Sequence, residues 1–535
     1  MARDYYNALP VIPATVLMAI AGGGEAGARN PGERPPNILF AISDDQSFPH
    51  ASAYGSIGLS TPTFDALAKE GVLFMNAFVA APQSSPSRAA ILTGRNIWQL
   101  GAAGTHGSLF PREYQVFTDA LEASGYAIGY TGKAWAPGNW RQSGWDRNPV
   151  GPEYNRHRLE KAPPYSGISA IDYRANFTEF IESKEKSAPF FFWFGSNEPH
   201  RVYEYGSGIQ SGKSLSEVHL PAFLPEEEVI RNDILDYYTE IEWFDKQLGK
   251  MVRYLEEIGE LDNTIIVVTS DNGMAFPYAK ANLYEFGTHV PLLISGKMFF
   301  DGNREIDDLV SLIDLAPTFL ELASTPILEG VTGKSLAPLL HREKQPEKNE
   351  ERDFVLTGRE RHSHARPDNL GYPSRAIRTK DFLYIKNYKA DRWPAGDPAN
   401  NTIPEIIDSK DSKPIGSGYA DIDDSPTKEW MIENSQRFPG LFQKAFDHRP
   451  EEELYHVTDD PYCLVNLAGE EKYSDIKTHL KALMENELEK QGDPRIMGNG
   501  DIFESYPRFG LMRNFPGFKE RGVFNEKYMV KDSEQ

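Results

Sequence analysis

Four oxygen-bearing side chains stand in two adjacent pairs far apart in the chain, Asp44-Asp45 and Asp271-Asn272. Carboxylate and amide oxygens suit a hard divalent cation rather than zinc or copper. Carboxylates that converge without a cation repel one another and shift their pKa values upward, a conflict that a metal removes. The same residues also fit a helix cap at Asp44-Asp45 and a plain turn at Asp271-Asn272-Gly273. A second concentration of reactive types is the run 82–95, PQSSPSRAAILTGR, with Ser84 and Arg88. Taken alone it is a turn feeding a short helix, and a serine hydroxyl is a weak nucleophile without a base beside it.

The elements around these residues place them. Asn37–Ser43 reads as a buried strand running straight into Asp44-Asp45, and the strand 264–269 ends in Ser270-Asp271-Asn272-Gly273, so both pairs sit at strand carboxyl ends. Thr61 can cap a helix with Pro62 at its first position, with Phe64, Leu67 and Ala68 on one face and Gly71 as its stop. Strands follow at 72–79, 190–194 and 290–294, a long amphipathic helix at 226–258 and another helix near 312–322. This alternation predicts an α/β fold, a large mainly parallel sheet sandwiched by helices, with ligands beyond the carboxyl ends of its strands. The polar run 342–352 marks a boundary, after which 354–356 and 376–385 read as strands of a smaller C-terminal α+β subdomain. The stretch 386–450, rich in Asp, Pro, Asn and Gly, reads as long surface loops lining a site.

Composition bounds the rest. The 535 residues are 40% apolar and 25% charged, enough to fold around a core and unlike a collagenous or disordered chain. A net charge of −22 argues against a nucleic-acid or acidic-membrane binder held by its overall field, so an anionic ligand must be captured by local cations. The sole cysteine, Cys463, excludes an internal disulfide and a cysteine zinc site. An apolar run at 9–21 followed by Ala26-Gly27-Ala28 reads as a signal peptide over 1–28, despite a weak basic start of Arg3 beside Asp4, and points to a secreted or periplasmic protein. No later stretch offers the roughly 18 uncharged apolar residues of a spanning helix.

The run 82–95 matches, at every specified position, the signature C or S, x, P, S or A, R, x, x, x, L or M, T, G, K or R. On it the chain resembles the type I, formylglycine-dependent sulfatases of the alkaline phosphatase superfamily. The resemblance implies that a maturase oxidises Ser84 to formylglycine. One hydroxyl of the hydrated aldehyde, acidified by a metal, attacks sulfur, and the other later collapses to expel sulfate. Cysteine is the commoner precursor, so Ser84 is either a native serine-type site or a replacement of cysteine. The resemblance also implies that Asp44, Asp45, Asp271 and Asn272, with Ser84, hold one Ca2+. It assigns Arg88 to the formylglycine hydroxyl and metal, Lys133 and Lys280 to the sulfate, and His200 to the ester oxygen. One departure stands out. The family commonly has G-K-x-H, whose histidine takes a proton, whereas here the run is Gly132-Lys133-Ala134-Trp135. Indole cannot act as a base, so His106 is expected to take the role.

The match extends from about residue 36 to 468. Asn197-Glu198-Pro199-His200-Arg201, Asn282-Leu283-Tyr284 with Gly287-Thr288, Pro291-Leu292-Leu293 and Tyr372-Pro373-x-Arg375 are similar to stretches of the heparan N-sulfatase (sulfamidase)-like subfamily. The expected organisation is a signal peptide at 1–28, a catalytic domain at 36–345 and a C-terminal subdomain at 353–535. The expected substrate is a sulfated glycan, with an N-sulfate as the alternative to an O-sulfate; a phosphoester hydrolase using unmodified Ser84 and a noncatalytic glycan binder are the competing readings. Arg201, His289, His362, His364 and Arg375 are candidate sugar contacts. Trp135, Trp140 and Trp145 could form an aromatic wall, against core packing for at least two of them.

Overall fold

The computed structural model describes residues 34–342, 349–398 and 418–509. The expected leader at 1–28, and parts of the expected boundary (343–348) and loop region (399–417), lie outside the described residues. Eight strands form the main sheet: β1 (Asn37–Ser43), β2 (Gly71–Phe78), β3 (Ala127–Gly132), β4 (Phe190–Gly195), β5 (Thr264–Ser270), β6 (His289–Ser295), β7 (Arg304–Ile306) and β8 (Val310–Ser311). Their order is β3-β4-β1-β5-β6-β2-β7, with β8 also on β2. Only β6 runs antiparallel to its neighbours β5 and β2, and the other pairings are parallel. Strands β1 to β5 therefore end on one edge, where the crossover topology opens a crevice.

Alternation along each strand feeds two apolar layers. Ile38, Phe40 and Ile42 of β1 join Phe191, Trp193, Ile265 and Val267 on one face. Leu39 and Ala41 join Phe190, Phe192, Phe194, Ile266 and Val268 on the other. Burial on both faces is why these strands read as unbroken apolar runs. The long helix Glu228–Glu257 covers the second face through Phe244, Leu248, Met251 and Leu255, while helix Leu315–Leu322 and α2 (Ser84–Thr93) cover the first. Helix α1 (Pro62–Glu70) starts and stops where its Pro and Gly demand, but Thr61 makes no side-chain cap. Its hydroxyl is taken by Ser52, and Asp245 of the long helix accepts from the amides of Thr63 and Phe64 instead. A tertiary carboxylate has replaced the local cap.

The second sheet is antiparallel, ordered β12-β11-β10-β9, from β9 (Phe354–Arg359), β10 (Ser374–Thr379), β11 (Phe382–Asn387) and β12 (Glu452–His456). The single strand expected at 376–385 is thus a hairpin turning at Lys380-Asp381. The expected loop region also differs: it contains helices Pro426–Glu433 and Pro439–Phe446, each with proline at its first position, and the first is capped by Ser425 onto the Lys428 amide. Met431, Ala445 and Phe446 pack into a core shared with Ile230, Ile234 and Tyr237 of the long helix. That packing returns residues 418–425 to the edge where β1 to β5 end.

Candidate active site

Strand β1 delivers Asp44 and Asp45 at its end, and Asp45 turns the chain with φ at 73°. Neighbouring β5 delivers Asp271 and Asn272, and the Asp45 amide donates to Asp271 Oδ1 at 3.1 Å. One oxygen from each of Asp44, Asp45 and Asp271 lies within 4.8 Å of the others, all three residues buried. Helix α2, buried along all ten residues, begins at Ser84. The Ser84 hydroxyl donates to Asp44 Oδ1 at 3.1 Å and accepts from Lys133 Nζ at 3.0 Å. One turn on, Arg88 donates through Nε to Asp271 at 2.8 Å and through Nη1 to the Lys133 and Ala134 carbonyls. Lys133, directly after β3, reaches Asp44 at 2.6 Å, and Lys280 reaches Asp45 at 2.7 Å. His200, beyond β4, donates from Nδ1 to the Arg201 carbonyl at 2.6 Å, which leaves Nε2 facing Asp45 at 3.9 Å.

Three carboxylates thus meet three cations in Arg88–Asp271, Lys133–Asp44 and Lys280–Asp45. Burial opposes ionisation of Asp44, but Lys133, His200, Arg88 and Lys280 hold its carboxyl well below the usual range. Burial and the facing Asp44 push Asp271 up to about 6. This is the crowding expected of carboxylates gathered around an oxygen-binding cation. The buried Oδ1 of Asn272 accepts no hydrogen bond among the described residues, an orphaned acceptor that a cation satisfies. Three carboxylates and an amide oxygen fit a hard divalent ion such as Ca2+. Because these three pairs balance in charge, such an ion gives the cluster a net positive charge suited to an anionic ligand.

A cavity of about 270 Å³ opens over Ser84. Its walls include Lys133, His200, Lys280, His106, His362 and Asp423. His106 donates from Nδ1 to the His362 carbonyl at 3.2 Å. Burial, then His362 and Arg508, lower its pKa well below the ordinary imidazole value, so the ring is neutral with Nε2 as an acceptor. Trp135 has a different place: it is 1% exposed, donates through Nε1 to the Ser85 carbonyl at 3.0 Å and meets Phe110 edge-on. It braces the start of α2. Trp145 is likewise core, donating to the Phe110 carbonyl, and Trp140 stacks with Arg141. None of the three lines the cavity, so the aromatic wall is not formed.

Four of the five candidate sugar contacts also lie outside its lining. Arg201 is clamped on Asp233 at 2.7 and 2.8 Å. Arg375 is fully buried between Asp493 and Glu360. His289 stacks on Phe48 and Phe78 and contacts the Met75 carbonyl, and His364 is buried. Only His362 reaches the cavity. The sequence reading missed Asp423, 3.3 Å from Lys280, and Arg508; the acidic run Asp421-Ile422-Asp423-Asp424 was the one visible signal.

Comparisons with known proteins agree with this geometry. The family model described as Sulfatase matches residues 36–325, and that described as N-sulphoglucosamine sulphohydrolase, C-terminal, matches 275–410. The N-sulphoglucosamine sulphohydrolase of Homo sapiens is 26% identical, over 88% of this chain and 93% of its own. An ulvan-active sulfatase of Formosa agariphila is also 26% identical, over 87% of this chain and 77% of its own. A structure solved in complex with its substrate D-glucosamine-2-N,6-O-disulfate has the same fold, with a TM-score of 0.61 and 20% identity over 86% of this chain and 99% of that one.

Proposed function

The chain belongs to the sulfatase family, and from that premise we propose that it hydrolyses a sulfate ester on a sulfated saccharide, using a formylglycine matured from Ser84 and one Ca2+ held by Asp44, Asp45, Asp271 and Asn272. The observation that carries the reading is that Lys133 reaches Ser84 while Lys280, Arg88 and His200 face the carboxylates of the oxygen-only ligand cluster beside it. When present, the two groups supply a hydrated aldehyde as nucleophile and a Lewis acid that lowers its pKa.

The chain's own residues do the rest. Lys133 and Lys280 bind sulfate oxygens, aided by the amides at the start of α2. Arg88, fixed by Asp271 and two carbonyls, holds the residue-84 side chain in place. His200, its Nδ1–H held by the Arg201 carbonyl, serves the ester oxygen when Nε2 also carries a proton, which it donates where negative charge grows as the bond breaks. Neutral His106 accepts a proton on Nε2 in place of the absent G-K-x-H histidine. The oxygen-only ligand set disfavours the phosphoester reading. The reading further includes a maturase partner and a secreted or periplasmic location; no helix among the described residues is long and apolar enough to cross a membrane.

A second reading, an N-sulfate as the bond cleaved, is favoured by the match to the N-sulphoglucosamine sulphohydrolase C-terminal model. One experiment tests both. The chain is produced with a formylglycine-generating enzyme and the Ser84 peptide is weighed for loss of two hydrogens. Sulfate release is then followed on O- and N-sulfated saccharides. Release from an O-sulfated sugar supports the main reading and release from N-sulfoglucosamine alone supports the second. A matured chain that frees no sulfate from any sugar overturns both.

A further inference from the structure

The loop 418–425 is anchored at two points. Asp421 is held by Arg359 at 2.9 Å, Arg366 at 2.7 Å and the Ser363 amide at 3.0 Å, and Ser425 caps the helix that follows. Between these anchors Asp423 and Asp424 both line the cavity, Asp424 pairing with Lys428 and Asp423 with Lys280. Asp423 Oδ2 lies 3.3 Å from Lys280 Nζ, yet it accepts no well-directed hydrogen bond among the described residues. The side chain remains 26% exposed. Burial opposes its ionisation, but Lys280, His200 and His362 hold its carboxyl well below the usual range. Because Lys280 also touches Asp45, Asp423 stands one side chain away from the ligand cluster.

Building on the sulfatase reading, we propose that Asp423 sets specificity: it accepts a hydrogen bond from a hydroxyl on the sugar carbon beside the sulfated one, and it rejects a sugar with a second anionic group there. An ionised carboxylate only accepts, so the group it meets must donate. A vicinal sulfate would bring like charges together in a partly desolvated cavity, which is discrimination by repulsion. The cavity is therefore bipolar, with a cationic floor for one sulfate and an acidic wall for its neighbour.

The test uses the monosulfated sugar that the matured wild-type enzyme turns over fastest in the screen above, in three forms: neighbouring hydroxyl intact, removed, or itself sulfated. Wild type should favour the intact form over either other by about 10-fold or more in kcat/KM, the scale for losing a hydrogen bond to a charged partner. In Asp423→Asn that preference should fall to within about threefold, with the vicinally sulfated form gaining most. The readout is a ratio measured on one preparation, so partial unfolding cancels. It also separates specificity from mere positioning of Lys280, which would lower kcat equally for all three forms. An equal loss on all forms, or an unchanged preference, overturns the proposal while leaving the sulfatase reading intact. A wild-type enzyme that releases no sulfate from any sugar removes both.

Discussion

Lys133 shows how one side chain serves both the resting site and the reaction. Its ammonium lies 2.6 Å from Asp44 and 3.0 Å from the Ser84 hydroxyl, so it is already fixed where sulfate oxygens must arrive and needs no reorganisation when they do. Lys133→Ala, and likewise Arg88→Ala, should lower kcat by roughly 10²-fold or more, the scale for removing a preorganised charge partner. Near-normal sulfate release by either variant would refute the assigned roles. His106→Ala should cost about 10²-fold in kcat with KM little changed, as for a lost proton acceptor; unchanged release would move that duty elsewhere. Legibility at this scale was uneven for a physical reason. The residues around Ser84 were readable because the signature fixes their spacing. Arg201, Arg375 and His289 were not, because a guanidinium or imidazole in a sequence does not reveal that Asp233, Asp493 or Glu285 waits for it in the fold.

The two sheets are tied by an ion pair between elements. Arg378 of β10 reaches Glu285, the first residue of the short helix Glu285–Thr288 that leads into β6, at 2.8 Å through Nε, with both side chains largely buried. Burial alone would raise the Glu285 carboxyl, but Arg378 and His289 bring it down to about 2. An acid depressed on folding contributes stability that is whole above its unfolded value of about 4.5 and is lost as pH falls towards 2. Glu285→Gln should therefore destabilise by about 3 kcal/mol at pH 7, since it leaves a buried guanidinium unpaired. The gap from wild type should narrow steadily in urea melts taken below about pH 4. A gap that does not change with pH would mean that packing, not charge, holds this joint. Elements with their own punctuation were legible from sequence: β1, and α1 between Pro62 and Gly71. The β10–β11 hairpin was not, because it turns on Lys380-Asp381 without glycine or proline and keeps the strand period on both sides. The helix after Ser425-Pro426 carried a readable start signal that the acidic and proline-rich composition of its surroundings obscured.

At the scale of the whole molecule, two electrostatic effects oppose each other. The chain carries a net charge of −22, while Lys133 and Lys280 line the cavity beside His200. A glycan bearing many sulfates meets the long-range negative field before the local positive one. Salt screens charges separated by more than about 10 Å at 0.1 M but acts little on pairs inside a desolvated cavity. Raising ionic strength from about 0.01 M to 0.15 M should therefore weaken the outer repulsion more than the inner attraction. The expected outcome is a rise in kcat/KM for a long, highly sulfated saccharide by a factor of about 2 to 10, with little change for a monosulfated sugar, because field effects act on the encounter rate. Stopped-flow or continuous sulfate assays on the two substrates across that range measure the difference. A fall for the long substrate would show that cations beyond the cavity guide it in, and that the protein's acidic surface is arranged away from the path of approach.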